Sequence, residues 1–91
     1  MNKRISIRIF GKVQEVFFRH NTKLFADELG IYGLARNEAD GHVLIIAEGD
    51  EDKIDKLISW LKKGGPKSAD IEHVDVCEEE YKGDFSYFEI I

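Results

Sequence analysis

An arginine in the first turn of a helix, entered from a glycine-led loop, is a place where an anion can be held. The stretch Gly11-Lys12-Val13-Gln14-Glu15-Val16-Phe17-Phe18-Arg19 has that form. Backbone N–H groups at a helix start have no partner within the helix and carry the positive end of its dipole, so a loop curling into that end can surround a phosphate. Arg19 adds a fixed charge and a planar fork of donors. The same wording also fits an arginine that is merely solvated.

Asn37 is the second residue of interest, for a geometric reason. A helix from Phe18 to Leu29 climbs about 18 Å at ~1.5 Å per residue, and a strand from Ile31 to Asn37 descends about 23 Å at ~3.3 Å per residue. If the two run antiparallel, Asn37 returns to the level of Arg19 and its loop. The plainer alternative is an asparagine that tolerates a left-handed conformation, or bonds its own backbone, before a turn.

The elements that must position these residues follow from periodicity. Ile5, Ile7 and Ile9 alternate with Arg4, Ser6 and Arg8, which predicts a strand with one buried side. Phe18, Thr22, Phe25, Ala26 and Leu29 keep helical spacing, with Gly30 placed to cap. Ile31–Asn37 is extended, Glu38-Ala39-Asp40-Gly41 reads as a hairpin turn, and Val43, Ile45 and Ala47 fall in step along a strand from His42 to Glu48.

A second helix starts at Gly49-Asp50, with Asp50 as the expected N-cap and Ile54, Leu57, Ile58 and Leu61 as its apolar stripe. Lys62-Lys63-Gly64-Gly65-Pro66 ends it with basic residues, a capping glycine and a proline. Ile71–Tyr81 and Phe85–Ile91 read as strands joined by a turn at Gly83-Asp84. The order β-α-β-β-α-β with a short terminal fifth strand predicts a ferredoxin-like α+β fold, a split βαβ sandwich with two helices on one face of a mostly antiparallel sheet. That architecture serves many functions, so the function has to come from the site.

Ninety-one residues make a single domain over 1–91 with one core. The net charge of −5 and pI near 5.1 argue against general binding to nucleic acid or an acidic membrane. An RNA-binding domain of this fold would also need aromatics on its central strands and a basic face. There is no bilayer-length apolar run, no signal-peptide pattern and a single cysteine, Cys77, so a soluble cytoplasmic protein is expected.

His20, His42 and His73 share no metal-ligand spacing with one another or with Cys77, and are expected as surface or turn residues. The acidic run Asp50–Asp55 lacks the glycine and glutamate of a calcium loop and is read as a helix start. No metal and no cofactor is expected.

The nine-residue loop resembles the phosphate loop of the acylphosphatase family, G-x-V-Q-G-V-x-F/Y-R, at eight of nine positions. Leu29–Asn37, followed by Asp40-Gly41-His42-Val43, is similar to the family's second segment. Gly65-Pro66 with Ala69, Ile71, Val74 and Val76 is similar to its third. The likeness covers nearly the whole chain in the right order.

The resemblance implies hydrolysis of the carboxyl–phosphate bond of a small acyl phosphate to carboxylate and inorganic phosphate, without a metal or a phosphoenzyme. It assigns the phosphate to Arg19 and to the backbone amides of Gln14, Glu15, Val16, Phe17, Phe18 and Arg19, and the attacking water to Asn37. A monomer is expected. A carboxylate leaves readily, and a phosphoryl transition state asks mainly for alignment and for donors around its oxygens, so so sparse a site is chemically sufficient.

Glu15 stands where the family pattern has its second glycine. If the position requires a positive φ, a Glu there costs about 1–2 kcal/mol. A carboxylate ~6 Å from the phosphate adds roughly 1.4 kcal/mol of repulsion per phosphate charge at an effective dielectric of ~40. Two outcomes are open. Either the side chain points to solvent and the loop still functions, or the cradle is impaired and the chain is a non-catalytic anion-binding module of the same fold.

Overall fold

The computed structural model describes residues 1–15 and 17–91. Strand β1 (Asn2–Lys12) is built as the alternation predicts: Ile5, Ile7 and Ile9 are wholly buried. It leads through the loop into helix α1 (Phe18–Leu29), then β2 (Tyr32–Asn37), β3 (Val43–Asp50), helix α2 (Glu51–Lys62), β4 (Asp70–Glu79) and β5 (Phe88–Ile90). The sheet order is β4-β1-β3-β2-β5, with antiparallel pairs except for β5, which lies parallel to β2.

Both helices turn apolar stripes to the same buried layer. Phe18 and Ala26 of α1, and Ile54, Leu57 and Leu61 of α2, meet the inward residues of the sheet in one hydrophobic cluster, with the polar Thr22 buried on the same face of α1. Each large side chain so buried contributes roughly 1.5–3 kcal/mol. Phe25 and Trp60 stack across the two helices with centroids 4.4 Å apart. The architecture is the ferredoxin-like α+β fold expected. No helix among the described residues is long and apolar enough to cross a membrane.

Three local expectations are corrected. Asp50 occupies the N-cap position of α2, but its side chain makes no cap; the Glu51 N–H donates instead to the Met1 carbonyl at 2.9 Å. Lys63, rather than Gly64, takes the C-cap of α2.

The last strand is Phe88–Ile90 rather than Phe85–Ile91, because it pairs with β2 only along Gly33, Leu34 and Ala35; ahead of it, Lys82 and Gly83 give their N–H groups to the Glu48 carboxylate, at 2.9 and 3.2 Å. Glu48 is buried and also pairs with Arg4 at 3.2 Å, while Arg4 reaches Glu79 at 2.9 Å. This ionic cluster anchors the segment that delivers β5 to the edge of β2.

Candidate active site

The loop begins where β1 leaves the sheet. The β1–β4 register shifts between Phe10 and Gly11, and Gly11 has φ 129. A Cβ on Gly11 would lie 2.1 Å from the Asp70 carbonyl oxygen, so only glycine allows β4 to pass this close.

Glu15 and Phe17 then adopt left-handed conformations, with φ 62 and 57, and are the two positive-φ non-glycine residues among those described. The strain foreseen for Glu15 is therefore present, and its side chain is exposed. Val16, expected to donate one of the loop amides, lies outside the described residues.

Phe17 is the N-cap of α1 and makes no side-chain cap, and no acidic residue stands in the helix's first turn. The first bond of the helix runs from the Asn21 N–H to the Phe17 carbonyl at 3.0 Å. The amides of Phe18, Arg19 and His20 thus have no partner within the helix. Helix α2 differs, with Glu51 and Asp52 in its first turn. The N-terminus of α1 is left uncompensated, and an anion would supply the missing negative charge.

Arg19 sits on this first turn. One N–H of its guanidinium donates to the Ile91 carbonyl at 2.8 Å, which fixes the group's orientation and leaves the rest of the fork for another acceptor. Ile91 is itself held by a 3.0 Å bond from its N–H to the Ala35 carbonyl of β2.

Asn37 ends β2, two residues beyond Ala35. Its Oδ1 is buried and accepts no hydrogen bond from any described group. An unpaired buried acceptor costs on the order of 1–3 kcal/mol, which marks it as a group with a partner to find. The turn beyond it is tightly tied. Glu38 N–H donates to the His42 carbonyl at 2.8 Å, and Gly41 N–H donates to the Glu38 carbonyl at 3.1 Å. Asp40 accepts from the His42 N–H at 3.2 Å and bonds the His42 ring. Those contacts, led by the backbone N–H, hold the Asp40 carboxyl below its usual range.

Gln14 joins the loop to this turn. Its side-chain amide donates to the Glu38 carbonyl at 2.8 Å and to the His42 carbonyl at 3.0 Å. Arg19 and Asn37 are thereby linked on two sides, through Ile91 and Ala35 at one end and through Gln14 and Glu38 at the other. The amide-bearing residues Gln14, Glu15, Phe17 and Phe18 lie on the path between these anchors.

Reading the sequence missed two contributors, the Gln14 side chain and the Ile91 carbonyl. A glutamine within a loop is a weak signal of the first, and no residue type signals a backbone carbonyl. His42 was expected as a surface or turn residue; it directly follows the turn, but its side chain is buried, stacked on Phe10 with centroids 5.0 Å apart and with its Nε2 2.7 Å from the Arg8 guanidinium. The sheet residues flanking the turn enclose it.

A cavity of about 310 Å³ opens beside Arg19, walled by Val13, Phe17, Phe18 and Ile90, with Glu15 and His20 completing it. Asn37 is not part of its wall.

Comparison with known proteins identifies the family. The acylphosphatase family model matches residues 5–90. The chain is 42% identical to an acylphosphatase of Syntrophus aciditrophicus (strain SB), over 100% of this chain and 94% of that one. It is 47% identical to an acylphosphatase of Acaryochloris marina (strain MBIC 11017), over 91% and 87% of the two chains. The solved structure of an acylphosphatase from Coxiella burnetii superimposes with a TM-score of 0.90 at 34% identity, covering 99% of this chain and 93% of that one. With a phosphate-type loop, an uncapped helix start and this likeness along its whole length, the chain belongs to the acylphosphatase family.

Proposed function

We propose that the chain hydrolyses acyl phosphates with Arg19 and the loop amides holding the phosphoryl group and Asn37 orienting the water. The observation that carries this reading is the first turn of α1, an uncapped, acid-free helix start that also bears Arg19. The donors are the amides of Gln14, Glu15, Phe17, Phe18 and Arg19, with Val16 as the further loop member. They and Arg19 stabilise the negative charge carried by the equatorial oxygens.

The unpaired Asn37 Oδ1 is suited to accept a hydrogen bond from water and so to aim its oxygen at phosphorus. That oxygen forms the new bond as the bond from phosphorus to the acyl oxygen breaks. The electron pair leaves with the carboxylate, and the water's protons remain with the phosphate product. A carboxylate needs no proton to depart, so no strong general base is required.

The reading includes a single domain over residues 1–91 that works as a monomer, in the cytoplasm, without a metal or other cofactor. Its ligands are a small acyl phosphate and inorganic phosphate. Incubation with benzoyl phosphate in the presence of EDTA tests the reaction. Stoichiometric release of benzoate and phosphate is expected. No turnover, or turnover lost to the chelator and restored by a divalent metal, contradicts it.

A further inference from the structure

The β1–β3 ladder ends at Ile9 opposite Val43, and the β2–β3 ladder ends at Asn37 opposite the same Val43. Just ahead of β3, beyond both ladders, stands His42. Its carbonyl accepts the Glu38 N–H at 2.8 Å and the Gln14 side-chain amide at 3.0 Å, so its placement bears on the anion loop and on the residue after Asn37 alike.

Phe10, Asp40 and Arg8 fix its side chain. Phe10 stacks on the ring with centroids 5.0 Å apart, Asp40 bonds Nδ1, and Nε2 lies 2.7 Å from the Arg8 guanidinium. A guanidinium has donors and no acceptor, so Nε2 must accept from Arg8 and the ring proton must sit on Nδ1, donated to Asp40. The ring is therefore neutral. A second proton, on Nε2, would set donor against donor and cation against cation at 2.7 Å, and the ring would have to leave Arg8.

Other charged and titratable groups flank this network. Glu38 is paired with Arg36 of β2 at 2.9 Å. On β4, His73 packs on the Phe10 ring and bonds Asp75 at 2.6 Å, with Asp75 opposite Arg8 in the β1–β4 register. Glu38 and Asp75 are thus bonded to partners of their own, which leaves Arg8 and Asp40 as the groups that act on the His42 ring directly.

We propose that His42 is a positioning residue for the hydrolysis, acting as the neutral ring with its proton on Nδ1, and that protonating it in acid releases Arg8, slackens the turn beside Asn37 and lowers kcat. This inference rests on the acyl-phosphate reading above. Histidine is the side chain whose ordinary change of charge falls between about pH 5 and about pH 8. A displacement near 1 Å in a positioned group costs up to ~100-fold in rate, so a slackened turn is expected to cost about tenfold.

The test compares the wild type with His42→Gln and His42→Leu on benzoyl phosphate across that range, each well below its melting temperature. Glutamine offers Arg8 an amide oxygen close to the place of Nε2 and does not titrate, whereas leucine offers nothing. Ratios taken at each pH cancel the ionisation of the substrate and of His20 and His73, which every enzyme shares. His42→Gln is expected to stay within about threefold of wild-type kcat at the alkaline end, and His42→Leu to fall about tenfold. The ratio of wild type to His42→Gln should drop about tenfold towards the acid end, while that of His42→Leu to His42→Gln stays flat. Ring nitrogen NMR of the wild type gives a readout free of any variant. A proton on Nδ1 at the alkaline end is expected, and one on Nε2 there overturns the proposal. With benzoyl phosphate still hydrolysed, a flat ratio of wild type to His42→Gln, or a His42→Gln no more active than His42→Leu, also overturns it and leaves the acyl-phosphate reading standing. Failure of the wild type on benzoyl phosphate at every pH overturns both.

Discussion

The Gln14 side-chain amide donates to the Glu38 carbonyl at 2.8 Å, tying the anion loop to the residue that follows Asn37. A bond to the His42 carbonyl at 3.0 Å doubles the tie. The loop and the turn after β2 are thus joined by two hydrogen bonds, although they belong to different elements.

Replacing Gln14 with leucine removes both bonds at nearly constant volume. Stability is expected to fall by about 1–2 kcal/mol. The kcat/KM for benzoyl phosphate should drop about tenfold or more, since a displacement near 1 Å in a positioned group is worth up to ~100-fold. Steady-state kinetics well below the melting temperature separates the two effects. An unchanged kcat/KM would show that Asn37 is placed without help from the loop.

Much of this arrangement was legible in the residues. Alternation in Ile5, Ile7 and Ile9, and helical spacing from Phe18 to Leu29, follow from which faces must be buried, and the same element lengths returned Asn37 toward the loop. What escaped was carried by groups with no residue-type signature. The Ile91 carbonyl meets Arg19 across 72 positions. The last strand is cut to Phe88–Ile90 by a register along Gly33, Leu34 and Ala35 that its own residues do not announce. The burial of His42 depended on Phe10 and Arg8 of the neighbouring strand, a pairing fixed only once the sheet order is known.

Glu15→Gly should relieve the left-handed strain at φ 62 and raise stability by up to about 1 kcal/mol. Removing the carboxylate should also tighten inhibition by inorganic phosphate several-fold, by an amount that shrinks as salt is added. Thermal melts and phosphate titrations at two ionic strengths check both parts. Unaltered phosphate inhibition would place the carboxylate out of electrostatic reach of the cradle.

The Glu48 cluster makes stability depend on pH. Burial pushes the Glu48 carboxyl up, but the N–H donors of Lys82 and Gly83 together with Arg4 outweigh it and hold it below its ordinary value. A depressed folded value means that the contribution is complete above the unfolded value of 4.5 and is lost as pH falls through the folded one. Glu48→Gln should therefore destabilise the protein by roughly 2–3 kcal/mol at neutral pH. The gap between wild type and variant should close in acid. Melting curves across the acid range test this, and a gap that stays constant with pH would contradict an ionised Glu48 as the anchor.

The central claim is the division of labour between Arg19 and Asn37, and parallel kinetics of Arg19→Ala and Asn37→Ala test it most directly. The two quantities to measure are kcat for benzoyl phosphate and the inhibition constant of inorganic phosphate. Arg19→Ala should weaken phosphate inhibition and lower kcat, by an overall factor on the order of 10³ or more. Asn37→Ala should lower kcat about 10²-fold or more while phosphate inhibition stays within a few-fold. If Asn37→Ala weakens phosphate binding as much as Arg19→Ala and leaves kcat intact, Asn37 does not orient the water. A folded Arg19→Ala protein with wild-type activity would contradict the phosphate site itself.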